Sequence, residues 1–154
     1  MQKVFKEEQI DIVSRKLNLP RVVVKDIVEK YVDYLVKEMC SGRTVKVFNI
    51  CYLRVTVEGS ECEKPTMAYI ATEIGKELSL GGVTVLRVLS FFEDQIVNDL
   101  QKGNGFTLRG LIRIQTAEEN GSTRLRIRKA TCYNSAPVYV STLGSFRRRV
   151  LGGG

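Results

Sequence analysis

A chain of 154 residues with 44% apolar and 27% charged side chains can close one compact domain or two very small ones, and its composition is not that of a long disordered region. It carries a net charge of +7 and no histidine, which excludes Ser-His-Asp and Cys-His catalysis, histidine metal ligands and the usual near-neutral general base. No stretch nears the roughly 20 apolar residues of a membrane span, and Met1 to Ile10 mixes Lys3, Lys6, Glu7 and Glu8 with no apolar run after it, so the expectation is a protein of the cytoplasm, nucleoid or virion interior, neither secreted nor membrane-bound.

The first element is a short helix at about 6–18, with Ile10, Val13 and Leu17 on one face. Asn18-Leu19-Pro20 breaks it, and Pro20 fits the first turn of a second helix, where its missing N–H costs nothing. That helix carries the stripe Val24, Ile27, Val28, Tyr31, Leu35 and Met39, the i, i+3, i+4, i+7 pattern of one buried face. Gly42 stands where it should stop. Two strands follow, at about 44–48 and 50–57, and then a polar linker, Glu58 to Pro65.

The parts then recur. A short helix at about 67–79 carries Ile70, Ile74 and Leu78; a longer one carries Val85, Val88, Leu89, Phe92, Ile96 and Leu100; Gly103 stops it; strands are expected at 105–109 and 111–117. Glu119-Asn120-Gly121-Ser122 reads as a tight hairpin turn, since Asn-Gly accepts the positive φ of type I′. An arginine-rich strand at 123–130 comes next. Tyr133 to Pro137 leads into Val138-Tyr139-Val140 and a short basic helix at 141–150.

Displaced by 61 residues, the sequence matches itself without a gap. Leu17 falls on Leu78, Val24 on Val85, Tyr31 on Phe92, Leu35 on Ile96, Gly42 on Gly103 and Leu53 on Ile114. One offset held through two helices, a glycine turn and two strands reads as a tandem duplication. The domain organisation follows: repeat one at 1–57, a linker at 58–66, repeat two with a basic strand and C-terminal segment at 67–151, and a glycine tail at 152–154. A unit of about 50 residues is marginal alone, so the two stripes are expected to close on each other.

The charge is lopsided. Residues 1–121 hold 17 bases and 17 acids, and the whole excess lies in Arg124, Arg126, Arg128, Lys129, Arg147, Arg148 and Arg149. Arg124-Leu125-Arg126-Ile127-Arg128 alternates strictly, so a strand would set three guanidiniums on one face and Leu125 and Ile127 on the core. Like charges at that spacing repel unless an anion relieves them, and the arginine fork suits phosphate.

No Walker loop, G-x-G-x-x-G motif or nucleophile elbow is present. Lys102-Gly103-Asn104-Gly105 follows a helix and precedes a strand, the place of a helix stop, not of a phosphate loop. Cys40, Cys51, Cys62 and Cys132 form no C-x-x-C pair and read as free thiols in a reducing compartment. The chain reads as a non-enzyme with no cofactor and no metal.

The segments Val45-Lys46-Val47-Phe48-Asn49-Ile50-Cys51-Tyr52-Leu53-Arg54-Val55 and Phe106-Thr107-Leu108-Arg109-Gly110-Leu111-Ile112-Arg113-Ile114 each resemble the first hairpin of the histone-like HU and integration host factor family. Pro137-Val138-Tyr139-Val140 resembles the start of that family's last segment, and Ile10 to Lys16 its first helix. The resemblance implies an α+β fold in which two helix-helix-hairpin repeats form an intrachain pseudo-dimer, a helical core with small antiparallel sheets. Family members dimerise into a saddle and reach round DNA with two arms, each tipped by a proline that kinks the duplex. This sequence has no Arg-Asn-Pro tip, its first repeat has no third strand or arm, and its second turns tightly at Asn120-Gly121.

The function the resemblance implies is therefore non-specific binding of double-stranded DNA through phosphates, with Arg113, Arg124, Arg126, Arg128, Lys129, Arg147, Arg148 and Arg149 as the contact set. Since tailed phages also encode such proteins, the alternative is a structural component of a virion, such as a head–tail ring or connector part, in which the same basic residues meet neighbouring subunits of a homo-oligomer.

Overall fold

The computed structural model describes residues 7–54, 60–61, 67–108, 112–129, 132–133, 136–137 and 139–151. Helix α1 (Glu7–Leu17) has Glu7 and Glu8 in its first turn and Arg15 and Lys16 in its last, each sign where the macrodipole favours it. It buries Ile10 and Val13. Asn18 then takes a left-handed φ of 54°, which asparagine tolerates better than most residues. Pro20 is the N-cap of α2 (Arg21–Cys40), just ahead of the first turn, and its carbonyl accepts the Val23 and Val24 amides at 3.1 and 3.2 Å. Gly42, at φ 86°, ends α2 and returns its N–H to the Met39 carbonyl at 3.0 Å.

Strands β1 (Arg43–Val47) and β2 (Cys51–Arg54) pair antiparallel. Val45 lies opposite Leu53 and Val47 opposite Cys51, and all four are buried. The same order of parts follows in α3 (Met67–Leu78), α4 (Gly82–Gln101), β4 (Phe106–Leu108) and β5 (Ile112–Glu119). Helix α4 starts and ends 61 positions after α2. The left-handed Ser79 (φ 57°) and Gly103 (φ 87°) stand at that same offset from Asn18 and Gly42. Strand β6 (Ser122–Lys129) pairs antiparallel with β5 around Asn120 and Gly121, at φ 52° and 79°, the signs a type I′ turn requires.

Two connections differ from the linear reading. Within the segment read as a linker, β3 (Ser60–Glu61) runs parallel to β1. After β6, the short pair β7 (Cys132–Tyr133) and β8 (Ala136–Pro137) leads to β9 (Tyr139–Thr142), which pairs with β2 and not with the second sheet. Residues read with repeat two thus supply the antiparallel strand that repeat one lacks. Strand β9 satisfies the edge of β2, whose backbone groups would otherwise lie unpaired beside the core. Helix α5 (Gly144–Leu151) follows, buries Phe146 and Val150 and packs on α4. The sheet orders are β3-β1-β2-β9, β4-β5-β6 and β7-β8.

The architecture is mixed α+β, with one continuous core that draws on both long helices. Tyr31 and Phe92, the matched aromatic pair of the sequence, are both fully buried within it. The turn after β1 is built on Phe48, at φ 49°; the Tyr31 hydroxyl accepts the Phe48 N–H at 2.7 Å, and the two rings stand 4.9 Å apart.

Candidate anion-binding face

The second sheet buries one side and exposes the other. Phe106 and Ile114 are buried, Leu125 packs against the core, and Phe106 lies opposite Ile114. Antiparallel partners share a face, so the alternate positions form the outer side: Thr107 opposite Arg113, Gln115 opposite Arg126, and Ala117 opposite Arg124. The Arg124 and Arg126 side chains are 70% and 63% exposed, and Arg113 is also exposed. Strand geometry separates Arg124 and Arg126 by about 7 Å along the chain. Glu119 stands 4.0 Å from both, which makes it their shared internal counter-ion, across a gap too long for a hydrogen bond.

The other expected residues divide. Register sets Arg128 opposite Arg113 and Lys129 opposite Ile112; their side chains lie outside the described residues. Arg147 and Arg148 are exposed on α5, and Arg147 reaches Thr142 Oγ1 at 3.3 Å. Arg149 is engaged within the chain: its guanidinium spans Glu93 at 2.7 Å and Asp94 at 3.0 Å, with its side chain 39% exposed. It clasps α5 to α4. The sequence carried a sign of this, since Arg149 follows the buried Phe146 by one helical turn.

The outer face of the first sheet went unread. Val45 and Val47 are buried on β1, and Cys51 and Leu53 on β2, so Lys46, Tyr52 and Arg54 fall on the opposite side. Lys46 lies opposite Tyr52, and Tyr52 opposite Ser141. The alternation in Val45-Lys46-Val47 and Cys51-Tyr52-Leu53-Arg54 would have identified it.

Cys51 and Tyr31 lie inward. Cys51 is free and buried, and burial pushes its thiol up to about 12, which leaves it unreactive. Burial likewise raises Tyr31 well above the ordinary tyrosine value. Cys62 and the side chains of Cys40 and Cys132 lie outside the described residues. Among the described residues, no group of three His, Cys, Asp or Glu could hold a metal ion, and no helix is long and apolar enough to cross a membrane. No family model matches the chain, and no curated protein matches it either.

Proposed function

We propose that this chain is a non-catalytic, HU-like intrachain pseudo-dimer that binds double-stranded DNA through phosphate contacts, largely without regard to sequence. The observation that carries the reading is the outer face of the second sheet, which exposes Arg113, Arg124 and Arg126, with Glu119 beside the latter two. Guanidiniums spaced along a flat, solvent-facing strand suit the phosphates of a nucleic-acid backbone, and they reach no base edge without a groove-entering element. The pseudo-dimer is supported by the recurrence of helix bounds and left-handed turns at one offset of 61 residues, and by the shared core. The crossing of β9 to the first sheet supports two halves built as one unit.

The test is a fluorescence-anisotropy titration of the purified chain with unrelated duplexes at about 50 and 200 mM salt. Comparable affinity across sequences is expected, falling steeply with salt as counterions are released. Arg113→Ala, Arg124→Ala and Arg126→Ala combined should flatten that dependence by nearly one unit of slope per lost phosphate contact. No duplex binding at about 50 mM would sink the reading, because unneutralised cations on a DNA-binding face give measurable non-specific affinity there. The assembly reading would then take its place, with acidic residues of a neighbouring subunit on the same face.

A further inference from the structure

The chain contains two Asn-Gly dipeptides, Asn104-Gly105 and Asn120-Gly121. In such a pair the backbone nitrogen of the glycine can reach the asparagine Cγ, because no Cβ on the glycine stands in the way. The two sites meet different surroundings. Asn104 donates its backbone N–H to the Asp99 carbonyl at 2.8 Å, which ties it to the end of α4. Gly105 is half-buried, and a Cβ there would stand 3.1 Å from the Gln115 side chain, so this dipeptide packs against β5. Asn120 and Gly121 are both exposed at the tip between β5 and β6, and a Cβ on Gly121 would meet nothing within 4 Å. Behind the tip the last paired residues are Glu119 and Ser122. The turn must open for the Gly121 nitrogen to meet Asn120 Cγ, and an exposed loop tip opens at little cost in free energy.

We propose that Asn120 is a deamidation site whose product, a second carboxylate beside Glu119, weakens anion binding by the arginine face. The Gly121 nitrogen bonds to Asn120 Cγ and gives up its proton, the Cγ–Nδ2 bond breaks, and ammonia leaves with that proton as a succinimide closes. Water then adds across one of the two imide C–N bonds and leaves aspartate or isoaspartate; no electron changes hands. One neutral amide has become one carboxylate. Glu119 already stands 4.0 Å from Arg124 and Arg126, and at low salt a charge one residue beyond it acts on the same two guanidiniums. The consequence for a ligand rests on the duplex-binding reading; the chemistry at Asn120 does not.

The full chain is aged in mildly alkaline buffer, which speeds the attack by removing the amide proton, and is then digested with trypsin. Cleavage after Arg113 and Arg124 frees residues 114–124, and cleavage after Lys102 and Arg109 frees residues 103–109. Mass spectrometry should show the gain of an amide exchanged for an acid in 114–124 well ahead of 103–109. Asn120→Gln would have to close a six-membered ring and should hold its mass. Duplex anisotropy at low salt gives the second readout. Aged wild-type chain and fresh Asn120→Asp should bind several-fold more weakly than fresh wild type, and aged Asn120→Gln should bind as its fresh form does. The difference should shrink as salt rises. Circular dichroism on the variants and the aged chain separates loss of charge complementarity from loss of fold. Asn120 that stays unconverted, Asn104 that converts as fast, or Asn120→Asp that binds duplex as wild type does would each overturn the proposal. Fresh wild-type chain that binds no duplex sinks the duplex reading instead, and the mass of 114–124 still decides the chemistry.

Discussion

Glu93 accepts the backbone N–H of Asn49 at 2.8 Å across 44 positions of sequence. The same carboxylate oxygen takes the Asn49 side-chain amide at 3.0 Å, and the other takes an Arg149 N–H at 2.7 Å. Three elements therefore meet on one carboxylate that is 8% exposed: helix α4, the turn between β1 and β2, and helix α5. The offset sets Glu93 on Val32, an apolar core residue, so the carboxylate has no counterpart 61 positions earlier.

Removing Arg149 should leave that carboxylate short of its charged partner. Breaking a fully buried pair costs about 3–5 kcal/mol; with Arg149 itself 39% exposed, the loss for Arg149→Ala should be nearer about 2 kcal/mol. Urea unfolding of Arg149→Ala, Glu93→Gln and the double variant gives the coupling between them. Additive losses would mean that the two groups do not act together.

The Tyr31 hydroxyl holds the Phe48 amide in a left-handed turn, and its partner position, Phe92, has no hydroxyl. Tyr31→Phe should orphan a buried N–H and cost about 1–3 kcal/mol, against about 3–5 kcal/mol for Phe92→Ala. Alkali provides a second readout. Burial raises both Tyr31 and Cys51 in the folded chain, so the unfolded chain loses those protons first as pH rises. Stability is then full below the unfolded values, about 8.5 for the thiol and about 10 for the phenol, and falls above them. Tyr31→Phe should remove part of the decline above pH of about 10, and Cys51→Ala the part that begins earlier. An identical alkaline profile in both variants would remove burial as the cause.

The sequence made the helices and their ends legible because each rests on local physics. The stripes from Val24 to Met39 and from Val85 to Leu100 can bury only as helices, Gly42 and Gly103 accept the positive φ of a helix stop, and Asn120-Gly121 closes a hairpin by itself. The destination of β9 was not legible. Alternation gives a strand its two faces but says nothing about which sheet edge it will join; that choice depends on where Phe146 and Val150 bury. The carboxylate partners of Arg149 were not legible for a related reason. Three consecutive arginines on a helix point in three directions, and charge counting treats them alike. On the first sheet, Lys46 and Arg54 vanish in a charge count, because residues 1–121 hold as many acids as bases.

The break between α3 and α4 is tighter than its counterpart. A Cβ on Gly75 would come within 2.5 Å of the Leu80 carbonyl oxygen, while at the matched position Ser14 has a Cβ and donates its hydroxyl to the Leu19 carbonyl at 2.5 Å. Gly75→Ala should therefore lower stability by about 1–3 kcal/mol through overpacking against backbone, although alanine favours a helix by about 1 kcal/mol over glycine. A thermal midpoint that rises in Gly75→Ala would mean that the break relaxes freely.

Glu119 gives the sharpest test of the arginine face. It stands 4.0 Å from both Arg124 and Arg126, and all three are largely solvated, so the contacts contribute little to folding. Its effect on a ligand is larger. An approaching phosphate must compete with this carboxylate for two guanidiniums and is repelled by it. Glu119→Gln keeps the shape and removes the charge, so duplex affinity should rise several-fold at about 50 mM salt, with the thermal midpoint nearly unchanged. The gain should shrink as salt screens the face. It should also vanish in a chain that carries Arg124→Ala and Arg126→Ala, since the carboxylate then has no cation to mask. The assembly reading makes the opposite kind of statement: Glu119→Gln would alter contacts between copies and leave duplex affinity negligible before and after. Anisotropy titrations of the four chains at two salt concentrations decide the matter, and an affinity that Glu119→Gln leaves unchanged would remove this face from the DNA site.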